Sequence, residues 1–341
     1  MTIRNGMTGF VLAVSLAAVV AGCGSSSESL SEVKEAGVGV NALTVNNGLS
    51  PNGLARNGLA ANGLAVNGLA RNGLARNGLL SADFQSWFDG DPATSAAVMT
   101  YVVRCAAAAG QTYSYTSPTT GVTYSWSGSL GLAPGWASGL PATVAEEQVI
   151  TACLAAHVNK YGVHVDISVQ GLGATGVPIP VGASELSTYA QREGCFFGNL
   201  FTGEGVYAGI DHTIWNSGYS TVRACAFDIL GIGPSADCPP VNNVGPCALI
   251  CQADAKGNYY TSCGTWVNGA WRTYLPITTR ILPADVYKCG DGACQFTESC
   301  GTGTTYNNCK ADCGDCSVTP AAGTSTTQTK TPTSKHNSNS Q

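Results

Sequence analysis

The apolar and polar positions divide the chain into one unbroken apolar run near its start and, much later, a series of periodic stretches. The run, Phe10 to Val20, is eleven residues long, short of the roughly 20 that span a bilayer. Behind the cap-and-proline pair Asp91-Pro92, Val98, Val102 and Cys105 recur at helical spacing and predict a helix over Ala93 to Ala109. Thr143-Val-Ala-Glu146 matches a capping box. It opens a second predicted helix whose buried stripe is Val149, Cys153, Leu154, His157 and Val158, running to Tyr161-Gly162. Elsewhere the pattern alternates. Gln111 to Ser117 and Val122 to Gly128 alternate Tyr, Thr and Ser around Pro118-Thr119-Thr120-Gly121 and predict a hairpin. Val163, Val165, Ile167 and Val169 alternate with His164, Asp166, Ser168 and Gln170, as in a half-buried strand. Further strands are predicted at Cys195 to Phe201, Ser220 to Asp228, Asn258 to Thr265 and Trp271 to Ile277. Helices and strands mix without a regular βαβ rhythm, so the predicted fold class is α+β.

Between the apolar run and the first helix lies a pattern of another period. Asn-Gly-Leu recurs every five residues, at Asn47, Asn52, Asn57, Asn62, Asn67, Asn72 and Asn77. Five matches neither the helical 3.6 nor the strand period of 2, and Asn-Gly is a turn dipeptide. The segment weakly resembles pentapeptide-repeat proteins, which coil into a square β-helix with four pentads per turn. Its Asn-Gly order departs from their usual phase, and seven copies give fewer than two turns. The reading is a flexible arm: as a random coil, residues 24–80 reach about 40 Å. Arg56, Arg71 and Arg76 stand in it with no acid between Ala36 and Ala82, a charge pattern read as solvation.

Arg4, the apolar run and the small residues before Cys23 have the anatomy of a signal peptide. Val20-Ala21-Gly22-Cys23 resembles the lipobox of bacterial lipoproteins, which implies cleavage before Cys23 and acylation of its sulfur. Gly24 replaces the Asp that inner-membrane lipoproteins tend to carry, which points to the outer membrane, on its periplasmic or cell-surface face. Several acyl chains at about 0.8 kcal/mol per buried CH₂ make a lasting anchor.

Cysteine parity agrees with that address. The chain has 15 cysteines, and lipidation of Cys23 leaves an even number for disulfides. They fall into two even groups: Cys105, Cys153, Cys195, Cys225, Cys238, Cys247, Cys251 and Cys263, then Cys289, Cys294, Cys300, Cys309, Cys313 and Cys316. An oxidising extracytoplasmic compartment permits such pairing. Cys105 and Cys153, on the inner faces of the two predicted helices, are expected to bond. Cys195 is expected to pair with Cys225, the connectivity of its group being otherwise open. The charge of −5 and the charged content of 11% argue against a nucleic-acid partner.

The second cysteine group is too short to build an apolar core, so disulfides must hold it. Cys289-Gly-Asp-Gly-Ala-Cys294, with Glu298, Cys300, Asp312-Cys313 and Asp315-Cys316, resembles small modules of secreted and surface proteins of myxobacteria, which are similar to calcium-stabilised disulfide knots. That resemblance implies Ca²⁺ as the cofactor and Asp291, Glu298, Asp312 and Asp315 as its ligands. The alternative is that these acids cap turns. Zinc is discounted, since the module has neither a paired Cys-x₂-Cys arrangement nor a histidine.

Candidate chemistry is sparse. Gly171-Leu-Gly173-Ala-Thr-Gly176 has the dinucleotide-loop spacing, but Pro178 and Pro180 preclude the helix that would receive a pyrophosphate. A nucleophile elbow, a His-Glu-x-x-His motif and an EF-hand loop are all missing from the sequence. His164, Asp166 and His212 could form a metal or acid/base site, though surface histidines are commoner. His157 reads as a packing residue, and His336 lies in the tail. Among Trp126, Trp136, Trp215, Trp266 and Trp271 an aromatic platform for sugars could be found, with core packing the usual role.

The expected plan is a signal peptide over 1–22, a lipid anchor and repeat arm over 23–80, a disulfide-bonded α+β domain over 81–288, a six-cysteine module over 289–316 and a disordered tail over 317–341. It resembles cell-surface lipoproteins of myxobacteria. That implies a structural, adhesive or ligand-binding role without identified catalysis, with the membrane as partner through Cys23 and envelope polysaccharide or another surface protein as a second. An exported hydrolase or glycan-modifying enzyme is the alternative. A cleft gathering His164, Asp166 or His212 would favour the enzyme, and a flat Trp-lined surface would favour binding.

Overall fold

The pentad repeat joins the folded core well before its expected end. A computed structural model describes residues 44–47, 68–158, 165–211, 219–221, 223, 232–234, 238–295, 298–305 and 308–316. Within it, the repeats over 68–80 form two single helical turns, α1 (Leu69–Asn72) and α2 (Arg76–Leu79). Between them Gly73 takes a left-handed backbone, φ +74°, which resets the chain so that every fifth side chain points the same way. Leu69, Leu74 and Leu79 are thereby buried in the main core. A Cβ on Gly73 would lie 2.3 Å from the Gly139 backbone, so the repeat needs glycine where it passes this neighbour. Over these residues the flexible-arm expectation is corrected. Arg71, expected to be only solvated, forms an exposed ion pair with Asp83 at 3.1 Å.

The predicted helices form with their caps. In α3 (Ala82–Gly90), the Ser81 hydroxyl accepts the Phe84 N–H, and Phe84 and Phe88 are buried. In α4 (Pro92–Ala106), Asp91 accepts the Thr94 N–H at 3.2 Å. This helix stops short of Ala109 because the Arg104 and Cys105 carbonyls, which the N–H groups of Ala108 and Ala109 would need, are taken by those of Leu130 and Leu132. The hairpin of β2 (Thr112–Thr116) and β3 (Thr123–Ser127) packs Tyr115 and Trp126 on Phe88. After the short α5 (Pro134–Ala137), α6 (Val144–Ala156) opens on the capping box: Thr143 Oγ1 accepts the Glu146 N–H, and Glu146 returns a carboxylate oxygen to the Thr143 N–H at 3.0 Å. It ends at His157; residues 159–164 lie outside the described residues.

Helix α6 lies on a seven-stranded sheet. Its strands are β1 (Thr44–Asn47), β4 (Val165–Gly171), β5 (Gln191–Asn199), β6 (Gly205–Ile210), β8 (Ile232–Pro234), β9 (Val241–Pro246) and β13 (Ile277–Ile281), in the order β1-β4-β13-β5-β6-β9-β8. All neighbours are antiparallel except β6 and β9. Ile167, Val169, Phe196, Ile277 and Ile281 share one core with Val149, Ile150 and Cys153 of α6. A second sheet comprises β10 (Cys251–Ala253), β11 (Tyr260–Val267) and β12 (Ala270–Tyr274), reached through α8 (Cys247–Ile250). The single strand predicted over Trp271 to Ile277 is therefore two, divided at Pro276, which has no N–H for a ladder. Strands β7 (Tyr219–Thr221) and β14 (Val286–Lys288) pair with each other, and α7 (Glu185–Thr188) follows β4. In the cysteine module β15 (Thr304–Thr305) and β16 (Asn308–Cys309) precede α9 (Lys310–Cys313). The fold is α+β, as expected.

One acidic side chain here predicts a measurable pH effect. Burial, with the charges of Asp166 and Glu193 adding to it, pushes the Asp285 carboxyl up from 3.8 to about 6. A carboxyl that holds its proton more tightly when folded costs stability as pH rises from about 4 through about 6. Asp285→Asn is therefore expected to raise the unfolding free energy at pH 7 by on the order of 1 kcal/mol, after allowance for partial solvent screening. The gain should vanish below about pH 4, a dependence that urea melts at the two pH values would reveal.

Candidate functional site: an aromatic face on the second sheet

The second sheet buries one face and exposes the other, as a two-residue alternation requires. Cys263, Val267 and Tyr274 point inward to a small core with Cys195, Phe197, Cys247 and Tyr260. The residues of the opposite parity, Trp266 and Trp271, sit directly across from each other in the β11–β12 register. They are 68% and 48% exposed, with ring centroids 6.0 Å apart in an edge-to-face arrangement. The hairpin that presents them turns on Asn268-Gly269, both with positive φ (49° and 78°). This is the two-residue turn that matches strand twist.

Beside the rings runs a shallow groove of about 250 Å³. Gln252, Ser262 and Thr273 line it along the same exposed face, Leu249 and Ile250 close one end, and the Cys251–Cys263 disulfide forms part of its wall. No charged side chain lines it. Trp271 lies flat over Gly264, where a Cβ would come within 2.5 Å of its ring. Leu249, 79% exposed, extends the apolar surface.

The sheet is held to the rest by polar bonds as well as sulfur. Arg192 Nε donates to Asp211 at 2.8 Å, Tyr260 Oη donates to the other Asp211 oxygen at 2.7 Å, and Tyr274 Oη donates to Glu204 at 2.9 Å. Burial and those carboxylate acceptors raise both tyrosine pKa values. The two phenols therefore remain neutral donors, and the face above them is fixed.

The cysteines pair as Cys105–Cys153, Cys195–Cys247, Cys251–Cys263, Cys289–Cys309, Cys294–Cys313 and Cys300–Cys316. Cys238 is also disulfide-bonded. The expected partner of Cys195 is corrected: it bonds Cys247, which the one-turn α8 delivers to the end of β9, and not Cys225. Cys225 itself lies outside the described residues.

In the six-cysteine module the acids serve the backbone. Asp312 accepts the N–H groups of Gly290, Asp291 and Gly292, and chiefly the Gly290 bond holds its carboxyl below the usual range. Asp291 accepts the Ala293 N–H and the Gln295 amide, while Asp315 pairs with Lys310 at 3.1 Å. Glu298 is buried; burial raises its pKa, and Oε1 has no hydrogen-bond partner among the described residues. A calcium ion using all four acids would compete with these turn-capping bonds. Among the described residues, each group of three possible ligands within 4.8 Å of one another contains disulfide cysteines.

Of the expected acid/base cluster, His164 and His212 lie outside the described residues and Asp166 is exposed. Cys23, Trp215 and His336 also lie outside them. His157 is fully buried, and desolvation lowers its pKa to about 3, so it is a neutral core residue. The Gly171 to Gly176 segment is a tight loop, with Gly173 N–H donating to Val177 O at 2.8 Å, and no helix opens on it, the next beginning only at Glu185. Trp126 and Trp136 are core residues. The aromatic face is half legible in the sequence: both tryptophans are candidates there, and Asn268-Gly269 is the turn signal that could have set them opposite one another.

Fold and face together define a disulfide-braced α+β protein that presents an exposed aromatic face. It is also a repeat protein: residues 53–80 match the GLTT repeat family in six copies. No curated protein matches the chain, and no solved structure matches it. Among the described residues no helix is long and apolar enough to cross a membrane.

Proposed function

We propose that this is an exported lipoprotein, tethered to the outer membrane through acylated Cys23, whose Trp266–Trp271 face binds envelope polysaccharide without catalysis. The observation that carries the reading is two tryptophans, 68% and 48% exposed, held opposite each other on a disulfide-tied hairpin beside an uncharged groove. Large aromatic side chains are costly to leave in water, so their fixed exposure favours a ligand with an apolar face. Sugar rings offer such a face together with a rim of hydroxyls, which Gln252, Ser262 and Thr273 can bond. The lack of lining charge favours a neutral glycan over an acidic one. The disulfides fit an oxidising extracytoplasmic setting, and the lipobox supplies the anchor.

The test is retention of fragmented cell-envelope glycans by the mature, oxidised chain. Intact glycan is expected to be held, and Trp266→Ala or Trp271→Ala is expected to weaken retention about tenfold, roughly 1.4 kcal/mol. Release of shortened glycan would overturn the binding reading in favour of a hydrolase, and retention that both variants leave untouched would move the site elsewhere. In the same cells Cys23→Ser should leave the membrane fraction. A serine variant that still sediments with membranes refutes the tether.

A further inference from the structure

Two disulfides meet beneath the aromatic face. Cys247 and Cys251 flank the one-turn α8 four residues apart, the spacing that brings side chains to one side of a helix. Cys247 bonds Cys195 of β5, and Cys251 bonds Cys263 directly across the β10–β11 ladder. The Sγ of Cys251 lies 3.5 Å from the Sγ of Cys195, across the two bonds. Cys195, Cys247 and Cys263 are buried, but Cys251 is partly exposed and opens onto the groove. The sulfurs of Cys195 and Cys247 rest on Gly209 of β6, where a Cβ would come within 2.9 Å of both, so that pair is seated on bare backbone.

We propose that these four cysteines form a thiol-exchange site that an external dithiol enters at Cys251. One thiolate of the dithiol attacks Cys251 Sγ, the Cys251–Cys263 bond breaks, and Cys263 leaves as a thiolate that takes a proton. The second thiol of the dithiol then cleaves the mixed disulfide, so the reductant departs oxidised and Cys251 is left as a thiolate. By then two electrons and one proton have passed to the protein, and the dithiol's second proton is in solvent until Cys247 takes one up in the next step. Cys251 next attacks Cys195 Sγ: the Cys195–Cys251 bond forms, the Cys195–Cys247 bond breaks, and Cys247 leaves as a thiolate and is protonated. This last step is an isomerisation that needs no further reductant. It moves the crosslink from the start of α8 to its end, after the first step has already removed the sulfur bond between β10 and β11, the strand that carries Trp266.

Cys263→Ser in the full chain tests the second step alone, because it leaves Cys251 unpaired with no reductant present. After incubation near pH 8, where thiolate is abundant, acid quenching, and alkylation under denaturing conditions, peptide mapping should find label shifted from Cys251 to Cys247 and a Cys195–Cys251 crosslink. Label confined to Cys251, with Cys195–Cys247 intact, overturns the proposal. Should that variant fail to accumulate, the natural chain with limiting dithiothreitol decides: the first thiols labelled should be Cys247 and Cys263. Labelling of Cys251 and Cys263 alone, or of the C-terminal six cysteines while these four stay bonded, would refute it.

Discussion

Trp136→Ala is expected to lower the unfolding free energy by about 4 kcal/mol, the cost of emptying a large core site. The fully buried indole is the point at which the repeats, the second long helix and the sheet-side loop meet. Its Nε1 donates to Leu69 O at 2.7 Å, its backbone O accepts the Leu74 N–H at 2.9 Å, and its backbone N–H donates to Glu146 at 2.9 Å. Phe201 packs against its ring edge-to-face at 5.7 Å. Removing the ring leaves a cavity under Leu69 and Leu74 and strips the Leu69 carbonyl of its donor, so residues 68–80 should detach before the rest unfolds. Guanidinium melts of the oxidised chain measure the loss, and proteolysis localises it to the repeats. A Trp136→Phe variant keeps most of the packing and should lose only about 1–2 kcal/mol. Loss of under 1 kcal/mol in the alanine variant would mean that the repeats do not depend on this contact.

Glu193→Ala should cost about as much, by a different route. Glu193 and Arg223 form an ion pair at 3.1 Å with both side chains fully buried, and Thr279 Oγ1 donates to the other Glu193 oxygen at 2.6 Å. The guanidinium also lies over the Phe196 ring, 5.6 Å from its centroid. Burial pulls the Arg223 pKa down and the Glu193 charge pulls it back up. Taking away the carboxylate leaves a buried cation without its counter-charge, a loss of about 3–5 kcal/mol. Replacing both partners by apolar residues of similar size, Glu193→Leu with Arg223→Met, should recover most of it, since the desolvation cost of the pair then disappears as well. Thermal melts of the single and double variants check this; a double variant as unstable as the single would show that the pair is needed for more than neutralising itself.

Sequence and structure agree where the signal is local. The Asp91-Pro92 start, the Thr143–Glu146 capping box and the Tyr- and Thr-rich hairpin each satisfy backbone groups within a few residues, so their chemistry is complete in the sequence. The repeat was not legible because a period of five buries a stripe only if the chain breaks its helix at each copy. Gly73 does so by its left-handed backbone, and the face it creates has meaning only against Trp136, more than sixty residues downstream of Leu69. The pairing of Cys195 was equally remote, since six cysteines between Cys195 and Cys263 allow about 15 connectivities and spacing alone ranks none of them. The Glu193–Arg223 pair left no trace in the pattern either: Arg192 and Glu193 are neighbours just ahead of the predicted strand, yet Arg192 pairs with Asp211 while Glu193 turns into the core to meet Arg223. For the aromatic face, the tryptophans were visible and their exposure was not, because strand parity becomes readable only after the turn at Asn268-Gly269 fixes the register.

The claim that the exposed indoles are the ligand contact can be put to them directly by fluorescence. Trp126 and Trp136 are already in the core, whereas Trp266 and Trp271 face solvent, so titrating the oxidised full chain with neutral envelope oligosaccharides should shift emission to the blue in a saturable way. The Trp266→Ala/Trp271→Ala double variant should show no such shift while keeping the natural chain's melting temperature. A saturable shift that persists in the double variant would contradict the account.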